Sequence, residues 1–375
     1  MLIRNVHLLS NKDLVDVFVD SGKILRIEQA DPFKKGGVDG KGLFLVSGFT
    51  DLHVHGAGGT DFSCGDSEKI IQADRMLTRL GTTSYLATTF YLPHQPNTHL
   101  EVLRQLYASG QCLGMKGIHL EGPFISPQKR GGILPDRISP YKKEILEDIF
   151  HVCGNALRMM TLAPEQEPTG VLINALKTRN VIPSFGHSDA TDKQTRQSLD
   201  QGIEHVTHLC NAMRPIHHRD PGPIPEIVES NVIAQIIADG AHLVPRMVKF
   251  LASIMGVDRC VCITDGMLST GLPDGDYLYQ GKPFKAKNGE ARYLHNNELI
   301  GTSLSVQQIA QRFMNFTTCS LEKAVKTVTE NPCRVLGTQP LYSTIQEGAI
   351  ADLLLIDKAL NLHRVWKNGE DISSD

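Results

Sequence analysis

The sequence has little that would place the protein in a membrane or on a nucleic acid. No apolar run approaches the roughly 18 residues that a membrane-spanning helix needs, and the formal net charge of the 375 residues is only -3. Such a balanced charge does not favour binding to nucleic acid or to an acidic membrane. The first residues also lack the layout of a signal peptide. We therefore expect a cytoplasmic protein that binds neither nucleic acid nor membrane.

Cysteine pairs and glycine-rich nucleotide-binding loops are also missing. None of the eight cysteines forms a Cys-x-x-Cys pair, and Cys260 and Cys262 lie within one apolar run. Small buried side chains explain these cysteines better than a disulfide framework does. No Gly-x-Gly-x-x-Gly follows the first predicted barrel strand, which argues against a dinucleotide-binding domain.

The middle of the chain alternates short apolar runs with helical patterns. The apolar runs predict eight strands at residues 43–50, 84–90, 117–120, 158–162, 181–185, 205–209, 232–238 and 260–264. Short runs of this kind are typical of parallel strands that are buried on both faces. Helical periodicity occurs between most of them, at residues 68–80, 141–151, 171–179, 192–201 and 244–255. This order predicts an α/β fold, a TIM-like (β/α)₈ barrel, with an open doubly wound sheet as the alternative.

Both ends of the chain instead contain short strands and turns. Residues 14–19 and 23–28 predict two strands around a Ser21-Gly22 turn, and residues 351–357 and 365–367 predict two more. Because chain termini often lie close together in space, these segments can form one unit. We expect residues 1–46 and 343–375 to form a small β-sandwich domain, and residues 47–342 to form the barrel.

A His-x-His motif follows the first apolar run. Side chains alternate between the two faces of a strand, so His53 and His55 should point in the same direction. Imidazole is the commonest metal ligand near neutral pH. The motif also occurs by chance in proteins without a metal, so it does not establish a metal site alone.

Polar residues recur at the predicted carboxyl ends of the strands, where barrel enzymes have their active sites. Six of the eight strands contribute such residues, which are His53, His55, His119, Glu121, His187, His208, Asp239, His242 and Asp265. One of them alone would be an ordinary hydrogen-bonded side chain, but together they favour a shared site. Nitrogen and oxygen ligands suit Zn²⁺ or Fe²⁺, and Asp265 could accept and donate a proton. The pattern predicts metal-assisted hydrolysis of an amide or ester.

These motifs resemble those of the N-acetylglucosamine-6-phosphate deacetylases of the amidohydrolase superfamily. The specific segments, in chain order, are Glu121-Gly122-Pro123, Gly186-His187-Ser188 and Thr207-His208-Leu209-Cys210-Asn211-Ala212-Met213. The resemblance covers nearly the whole chain and implies hydrolysis of the N-acetyl group of N-acetylglucosamine 6-phosphate, in amino-sugar catabolism. Alternatives are a related N-acetylated sugar phosphate such as the galactosamine derivative, another amide, and a non-catalytic sugar-phosphate sensor.

The resemblance also implies roles for individual residues. Glu121, His187 and His208 would bind the main metal, and Asp265 would be the catalytic acid and base. The implied substrate-binding residues are Gly132, Asn211, Ala212, Arg219, His242, Leu299, Ile300 and Gly301. Arg219 matches an arginine that reaches into a neighbouring subunit's site to bind phosphate, which implies a homodimer. A guanidinium suits this role because it forms bidentate hydrogen bonds with phosphate.

Two positions distinguish this chain within the family. Some members have amide side chains in place of His53 and His55 and keep one metal, so this chain could bind one or two ions, with Glu121 bridging. Many members also have a histidine, at the position of Ile133, that hydrogen-bonds to the acetyl carbonyl. Isoleucine has no donor for that bond. We hypothesise that a second metal at His53 and His55 polarises the carbonyl instead.

Overall fold

The computed structural model describes residues 1–373 and contains a barrel of eight parallel strands. The strands are adjacent in chain order and comprise Phe49–Val54, Thr82–Thr89, Met115–Glu121, Leu157–Leu162, Ile182–Phe185, His205–Val206, Ile233–Ile236 and Cys260–Cys262. The first and last strands meet through one bridge between Val54 and Gly266, where the amide of Asp265 donates to the carbonyl of His53 at 2.9 Å. The predicted (β/α)₈ barrel is therefore confirmed, with closure at the carboxyl end of the strands.

Helices cover the outside of the barrel. They comprise Ser67–Arg79, Thr98–Ser109, Lys143–Cys153, Val171–Thr178, Asp192–Asp200, Pro223–Glu229, Pro245–Met255, Val306–Thr317, Leu321–Lys326 and Glu330–Leu336. The helix Ser67–Arg79 begins at Asp66, whose side chain accepts hydrogen bonds from the amides of Glu68 and Lys69. Within residues 1–373, no helix combines the length and the apolar character that a bilayer span requires.

The first predicted barrel strand, at residues 43–50, is wrong in its bounds. Phe44–Ser47 belongs to the sheet formed by the chain ends, and the barrel strand is Phe49–Val54. Gly48 separates them, and a Cβ atom there would lie 1.9 Å from Oγ1 of Thr83. Because both strands are buried, their apolar residues form one continuous run that conceals this change of sheet.

The two ends of the chain form one sheet beside the barrel. Its strands are Leu2–Leu8, Asn11–Asp20, Lys23–Gln29, Val38–Asp39, Phe44–Ser47, Leu353–Ile356, Leu362–Lys367 and Glu370–Asp371. Leu354 pairs with Val46, which joins the C-terminal strands to the N-terminal ones. Trp366 is fully buried in the apolar core of this sheet. The predicted β domain at the termini is thus confirmed, while the exact domain bounds stay a prediction.

A further antiparallel sheet, which we did not predict, follows the last barrel strand. Its four strands are Gly275–Tyr279, Lys282–Lys287, Glu290–Tyr293 and Leu299–Thr302. Its buried side chains pack with Phe90, Ile133 and Met267 near the carboxyl ends of the barrel strands. We call this segment, residues 275–302, the mouth sheet, because it forms one wall of the cavity at that end. The short ribbon Gly56–Ala57 and Thr60–Asp61 lies near the same end.

Candidate active site

A cavity of about 690 Å³, open to solvent, lies at the carboxyl end of the barrel. Eleven of the residues predicted from the sequence line it, namely His55, Glu121, Gly132, His187, His208, Asn211, Ala212, His242, Asp265, Leu299 and Ile300. They come from different strands and loops but meet here because parallel strands end at one edge of the barrel. The convergence expected from the strand ends is therefore present in the structure.

Glu121, His187 and His208 form the first cluster in the cavity. Oε1 of Glu121 lies 2.9 Å from Nε2 of His187 and 3.0 Å from Nε2 of His208. The two Nε2 atoms are themselves 3.0 Å apart. Three potential ligand atoms thus converge on one small volume, as the family resemblance implies for the main metal.

His53, His55 and Asp265 form a second cluster that adjoins the first. The Nε2 atoms of the two histidines are 3.2 Å apart and lie 3.5 and 3.3 Å from Oδ1 of Asp265. Both are also 3.5 Å from oxygens of Glu121, whose carboxylate therefore faces both clusters. The i and i+2 spacing of the histidines does place both rings on one side, as predicted.

Hydrogen bonds on the outer side of two histidines fix the direction of their inner nitrogens. Nδ1 of His53 lies 3.2 Å from Oε1 of Gln235, and Nδ1 of His187 lies 2.8 Å from the carbonyl of Lys129. Because both partners are acceptors, each Nδ1 carries the proton, and the inner Nε2 is available as a metal ligand. Nδ1 of His55 has no hydrogen-bond partner among the described residues, and the ring stacks on Phe90 with centroids 5.5 Å apart.

The charges around the clusters favour a bound cation. Burial lowers the pKa of His55, but Asp265 and Glu121 outweigh burial and raise that pKa to about 10; the pKa of His53 is also raised. Burial would raise the pKa of Glu121 and Asp265, yet the adjacent histidines hold the pKa of both carboxyl groups below its usual value. The two carboxylates thus stabilise positive charge at His53 and His55, which a divalent metal supplies in place of protons.

The arrangement of these donor atoms is therefore typical of a metal site rather than of an ordinary cluster of hydrogen-bonded polar residues. Imidazole nitrogens and carboxylate oxygens converge within 4.8 Å in the groups His53, His55 and Asp265, and His53, Glu121 and His208. All are buried or nearly so, and nitrogen and oxygen ligands of this kind suit Zn²⁺ or Fe²⁺. A metal site at the barrel mouth follows from this geometry.

Asp239 holds His242 in a fixed orientation. Oδ2 of Asp239 lies 2.7 Å from Nδ1 of His242, and its Oδ1 accepts hydrogen bonds from the amides of Ala241 and His242. Nε2 of His242 lies 3.8 Å from Oδ2 of Asp265. The imidazole thus presents its free nitrogen to the cavity, close to the second cluster.

Several site residues have a left-handed backbone, which only glycine adopts without strain. The φ angles are 47° for His187, 27° for His208, 76° for Cys210, 49° for Ala212 and 49° for Asp265. Such conformations cost of order 1–3 kcal/mol each and persist where the surrounding structure enforces them. His187, His208 and Asp265, which have expected roles in metal binding or proton transfer, are among them, so the backbone is strained where it positions this site.

Two predicted substrate-binding residues do not line the cavity in this subunit. Gly301 lies behind the wall, where a Cβ atom would be 2.5 Å from the carbonyl oxygen of Asp265. Arg219 is exposed on a loop. None of the described residues that line the cavity is a lysine or an arginine. Arg219 is thus free to project toward another molecule, and its role in a neighbouring subunit stays a prediction.

The structure adds lining residues that the sequence analysis did not assign to the site. They are Phe90, Gly131, Met267 and Tyr279, and Ile133 also faces the cavity. Phe90 ends a predicted strand, but an aromatic side chain there, unlike a histidine or a carboxylate, is not a signal of a metal site. Tyr279 comes from the mouth sheet, in the strand Gly275–Tyr279; the alternation of polar and apolar residues in the next strand, Lys282–Lys287, was a signal that could have revealed the sheet.

The match to a family model agrees with this architecture. The amidohydrolase family model matches residues 44–372, which is most of the chain. The protein belongs to the amidohydrolase family. The resemblance inferred from the motifs at the strand ends is thereby confirmed, and so is a metal-dependent hydrolytic class of enzyme.

Individual relatives match over almost their full lengths. The chain is 32% identical to the N-acetylglucosamine-6-phosphate deacetylase of Lysinibacillus sphaericus, with 98% of this chain and 97% of the relative covered. It is 29% identical to the N-acetylgalactosamine-6-phosphate deacetylase of Escherichia coli O157:H7, with 87% of each chain covered. These relatives act on the same class of compound, an N-acetylated sugar phosphate.

A solved structure from Mycobacterium smegmatis has the same fold. It is a mutant N-acetyl-D-glucosamine-6-phosphate deacetylase in complex with N-acetyl-D-glucosamine-6-phosphate, and it superposes with a TM-score of 0.91 at 27% identity. The alignment covers 100% of this chain and 99% of the other. The deacetylase of Thermotoga maritima superposes with a TM-score of 0.86 at 30% identity, with 99% of both chains covered. The mouth sheet and the sheet of the chain ends therefore lie within the aligned length.

Proposed function

We propose that the protein hydrolyses the N-acetyl group of N-acetylglucosamine 6-phosphate and releases glucosamine 6-phosphate and acetate. The observation that carries the proposal is the cluster of Glu121, His187 and His208 beside Asp265 in an open cavity. The amidohydrolase match and the full-length similarity to deacetylases of this substrate support it.

Glu121, His187 and His208 would hold the main metal. A divalent metal held there would supply Lewis acidity, which lowers the pKa of water so that hydroxide, the nucleophile, is available near neutral pH. We propose Zn²⁺ or Fe²⁺, because the donors are imidazole and carboxylate. His53 and His55 would hold a second ion, with Glu121 facing both positions.

Asp265 would move the proton between water and the leaving amine. Its carboxylate lies beside both clusters, so it can accept a proton as the water oxygen bonds to the acetyl carbon. It then donates that proton to the sugar nitrogen as the carbon–nitrogen bond breaks. The aspartate is then again ionised, and the products are the amine and acetic acid, whose remaining proton passes to the amine or to solvent to leave acetate.

The sugar phosphate would extend from this centre toward His242, Asn211 and Gly132. His242 offers a nitrogen whose direction Asp239 fixes, and Gly132 packs so closely on Ile300 that a Cβ would be 2.9 Å from its Cγ2. The phosphate needs a cation, and we propose Arg219 of a second subunit in a cytoplasmic homodimer. Remote binding of the phosphate would orient the acetamide at the metal.

The galactosamine derivative is the second candidate substrate. The similarity to the Escherichia coli O157:H7 N-acetylgalactosamine-6-phosphate deacetylase supports it. The two sugars differ only in the configuration of one hydroxyl group. Comparison of kcat/KM for the two 6-phosphates would decide which epimer is preferred.

Acetate release tests the proposed function directly. N-acetylglucosamine 6-phosphate and unphosphorylated N-acetylglucosamine would be compared, each with and without a chelator. We expect chelator-sensitive turnover of the phosphorylated sugar and little turnover of the other. Ligand binding without turnover by metal-replete protein would instead favour the sensor, and no binding would favour a different amide.

Metal analysis tests the second ion. Fully active protein and the variant His53→Gln/His55→Asn would be compared for bound metal per subunit. We expect the variant to retain one tightly bound ion and to lose the other. Full activity of the natural protein with a single bound ion would contradict the proposed role of the second.

A further inference from the structure

The cavity contains one tyrosine that none of the roles above uses. Tyr279 lines the cavity, and only 7% of its surface is exposed. Among residues 1–373, its hydroxyl group has no hydrogen-bond partner, whereas that of Tyr277 donates to the carbonyl of Pro273 at 2.6 Å. The hydroxyl oxygen is not one of the fully buried atoms without a partner, so it is accessible from the cavity, where a ligand or water can accept its hydrogen bond.

The mouth sheet determines that Tyr279 faces the cavity. Side chains alternate along the strand Gly275–Tyr279, so exposed Leu278 points outward and buried Tyr279 points inward. The residue pairs with Lys282 at the turn of the hairpin. The ring of Tyr279 packs in the apolar cluster that contains Phe90, Ile133 and Met267. Tight packing of the ring limits its freedom and therefore the position of its hydroxyl group.

The hydroxyl group of Tyr279 remains protonated and can donate. Burial raises its pKa well above the usual value, and the charges of Asp61, Glu121 and Asp265 add to the effect. Two other donors in the cavity already have partners. The amide nitrogen of Asn211 lies 3.3 Å from the carbonyl of His208, and Nδ1 of His242 is bound to Asp239. Tyr279 is the one side-chain hydroxyl among the described residues that line the cavity.

We propose that the Tyr279 hydroxyl donates a hydrogen bond to the oxygen of the substrate's acyl group. This inference rests on the proposed function and concerns the donor that Ile133 cannot supply. Ile133 and Tyr279 line the same cavity and belong to the same apolar cluster, so the hydroxyl lies on the wall where the side chain of residue 133 is found. As water adds to the acyl carbon, the oxygen gains negative charge and the hydrogen bond strengthens.

The variant Tyr279→Phe removes the hydroxyl and keeps the ring. We expect kcat for N-acetylglucosamine 6-phosphate to fall by about 100-fold to 1,000-fold, as for other donors to a developing oxyanion, with little change in KM. Tyr293→Phe is the matched control, because Tyr293 is also a buried tyrosine of the mouth sheet with an unpartnered hydroxyl, but does not line the cavity. The control should retain its kcat.

Two further measurements separate a direct hydrogen bond from a structural effect. An N-trifluoroacetyl substrate has a more reactive carbonyl, so the loss in Tyr279→Phe should be smaller with it than with the N-acetyl substrate. The double variant Tyr279→Phe/Ile133→His should recover part of the lost kcat, because it places a new donor on the same wall.

The results would also distinguish failure of this inference from failure of the proposed function. If Tyr279→Phe had an unchanged kcat, or changed only KM, the proposed hydrogen bond to the acyl oxygen would be wrong. Turnover of N-acetylglucosamine 6-phosphate by the natural protein would still support the proposed function. An equal loss of kcat in Tyr293→Phe would also overturn the proposed hydrogen bond, because it would show that a change of packing in the mouth sheet is enough to lower kcat. Absence of turnover by the metal-replete natural protein would overturn both proposals together.

Discussion

Asp239 and His242 form a hydrogen bond of 2.7 Å that sets the direction of an imidazole at the active site. The same carboxylate also accepts hydrogen bonds from the backbone amides of Ala241 and His242, so it fixes the turn and the side chain together. The other imidazole nitrogen faces the cavity 3.8 Å from Asp265. Asp239 thus acts through His242 and is a positioning residue.

The variant Asp239→Asn should weaken substrate binding by the imidazole. An amide can keep the shape of the turn but holds the imidazole less firmly, so we expect kcat/KM to fall about 10- to 100-fold, mainly through KM. Steady-state kinetics on N-acetylglucosamine 6-phosphate would measure this. Asp220→Asn removes an exposed carboxylate that pairs with Arg214 and serves as the control. Equal effects of the two changes would contradict the assigned role.

The variant Gly301→Ala should displace Asp265. A Cβ atom at this position would be 2.5 Å from the carbonyl oxygen of Asp265 and 2.8 Å from Cγ of Met267, and φ is +148°. Misplacement of a reacting group by about 1 Å can cost about 100-fold in rate, and we expect a loss in kcat of that order. Gly281→Ala is the control, because Gly281 is also in the mouth sheet with positive φ, but a Cβ atom there would have no other described atom within 4 Å beyond its chain neighbours. Similar kinetics for both variants would exclude this explanation.

The variant Lys367→Met should destabilise the protein more than it affects catalysis. The ammonium group of Lys367 is buried and donates to Oδ2 of Asp352 at 2.6 Å and to the carbonyl of Thr83 at 2.8 Å. Loss of the cation leaves a buried carboxylate unpaired, so we expect the free energy of unfolding to fall by about 3–5 kcal/mol. Chemical denaturation would measure the change.

A surface lysine provides the comparison for that measurement. Lys285 lies 3.5 Å from Asp276, and both side chains are more than half exposed. Exposed pairs contribute about 0–1 kcal/mol, so Lys285→Met should change stability little. If both variants lost the same stability, burial of the Lys367 pair would not be the cause.

The sequence was informative about the barrel because its signals are local and periodic. His53 and His55 could be placed on one face from their spacing alone, and the barrel rule then placed Glu121 and Asp265 at the same end. The two sheets that meet at Gly48 could not be separated in this way. Both strands are buried, and so are Ser47 and Gly48 between their apolar parts, so no exposed polar residue marks the point at which the chain leaves one sheet for the other.

The remaining features of the site depend on contacts distant in sequence. The left-handed backbone of His208 and Asp265 is imposed by the surrounding loops, and histidine or aspartate has no local preference strong enough to predict it. Tyr279 reaches the cavity only because the mouth sheet folds over the barrel. Arg219 is exposed in one chain, so its proposed role depends on a second chain.

Metal reconstitution of the natural protein and of Asp265→Asn tests the central claim most directly. Metal-free protein would be titrated with Zn²⁺ or Fe²⁺, and acetate release from N-acetylglucosamine 6-phosphate would be followed together with the amount of bound metal. We predict that acetate release by the natural protein rises with bound metal, and that Asp265→Asn binds metal but loses nearly all turnover. Acetate release that is independent of metal, or that survives in Asp265→Asn at the natural rate, would contradict the account.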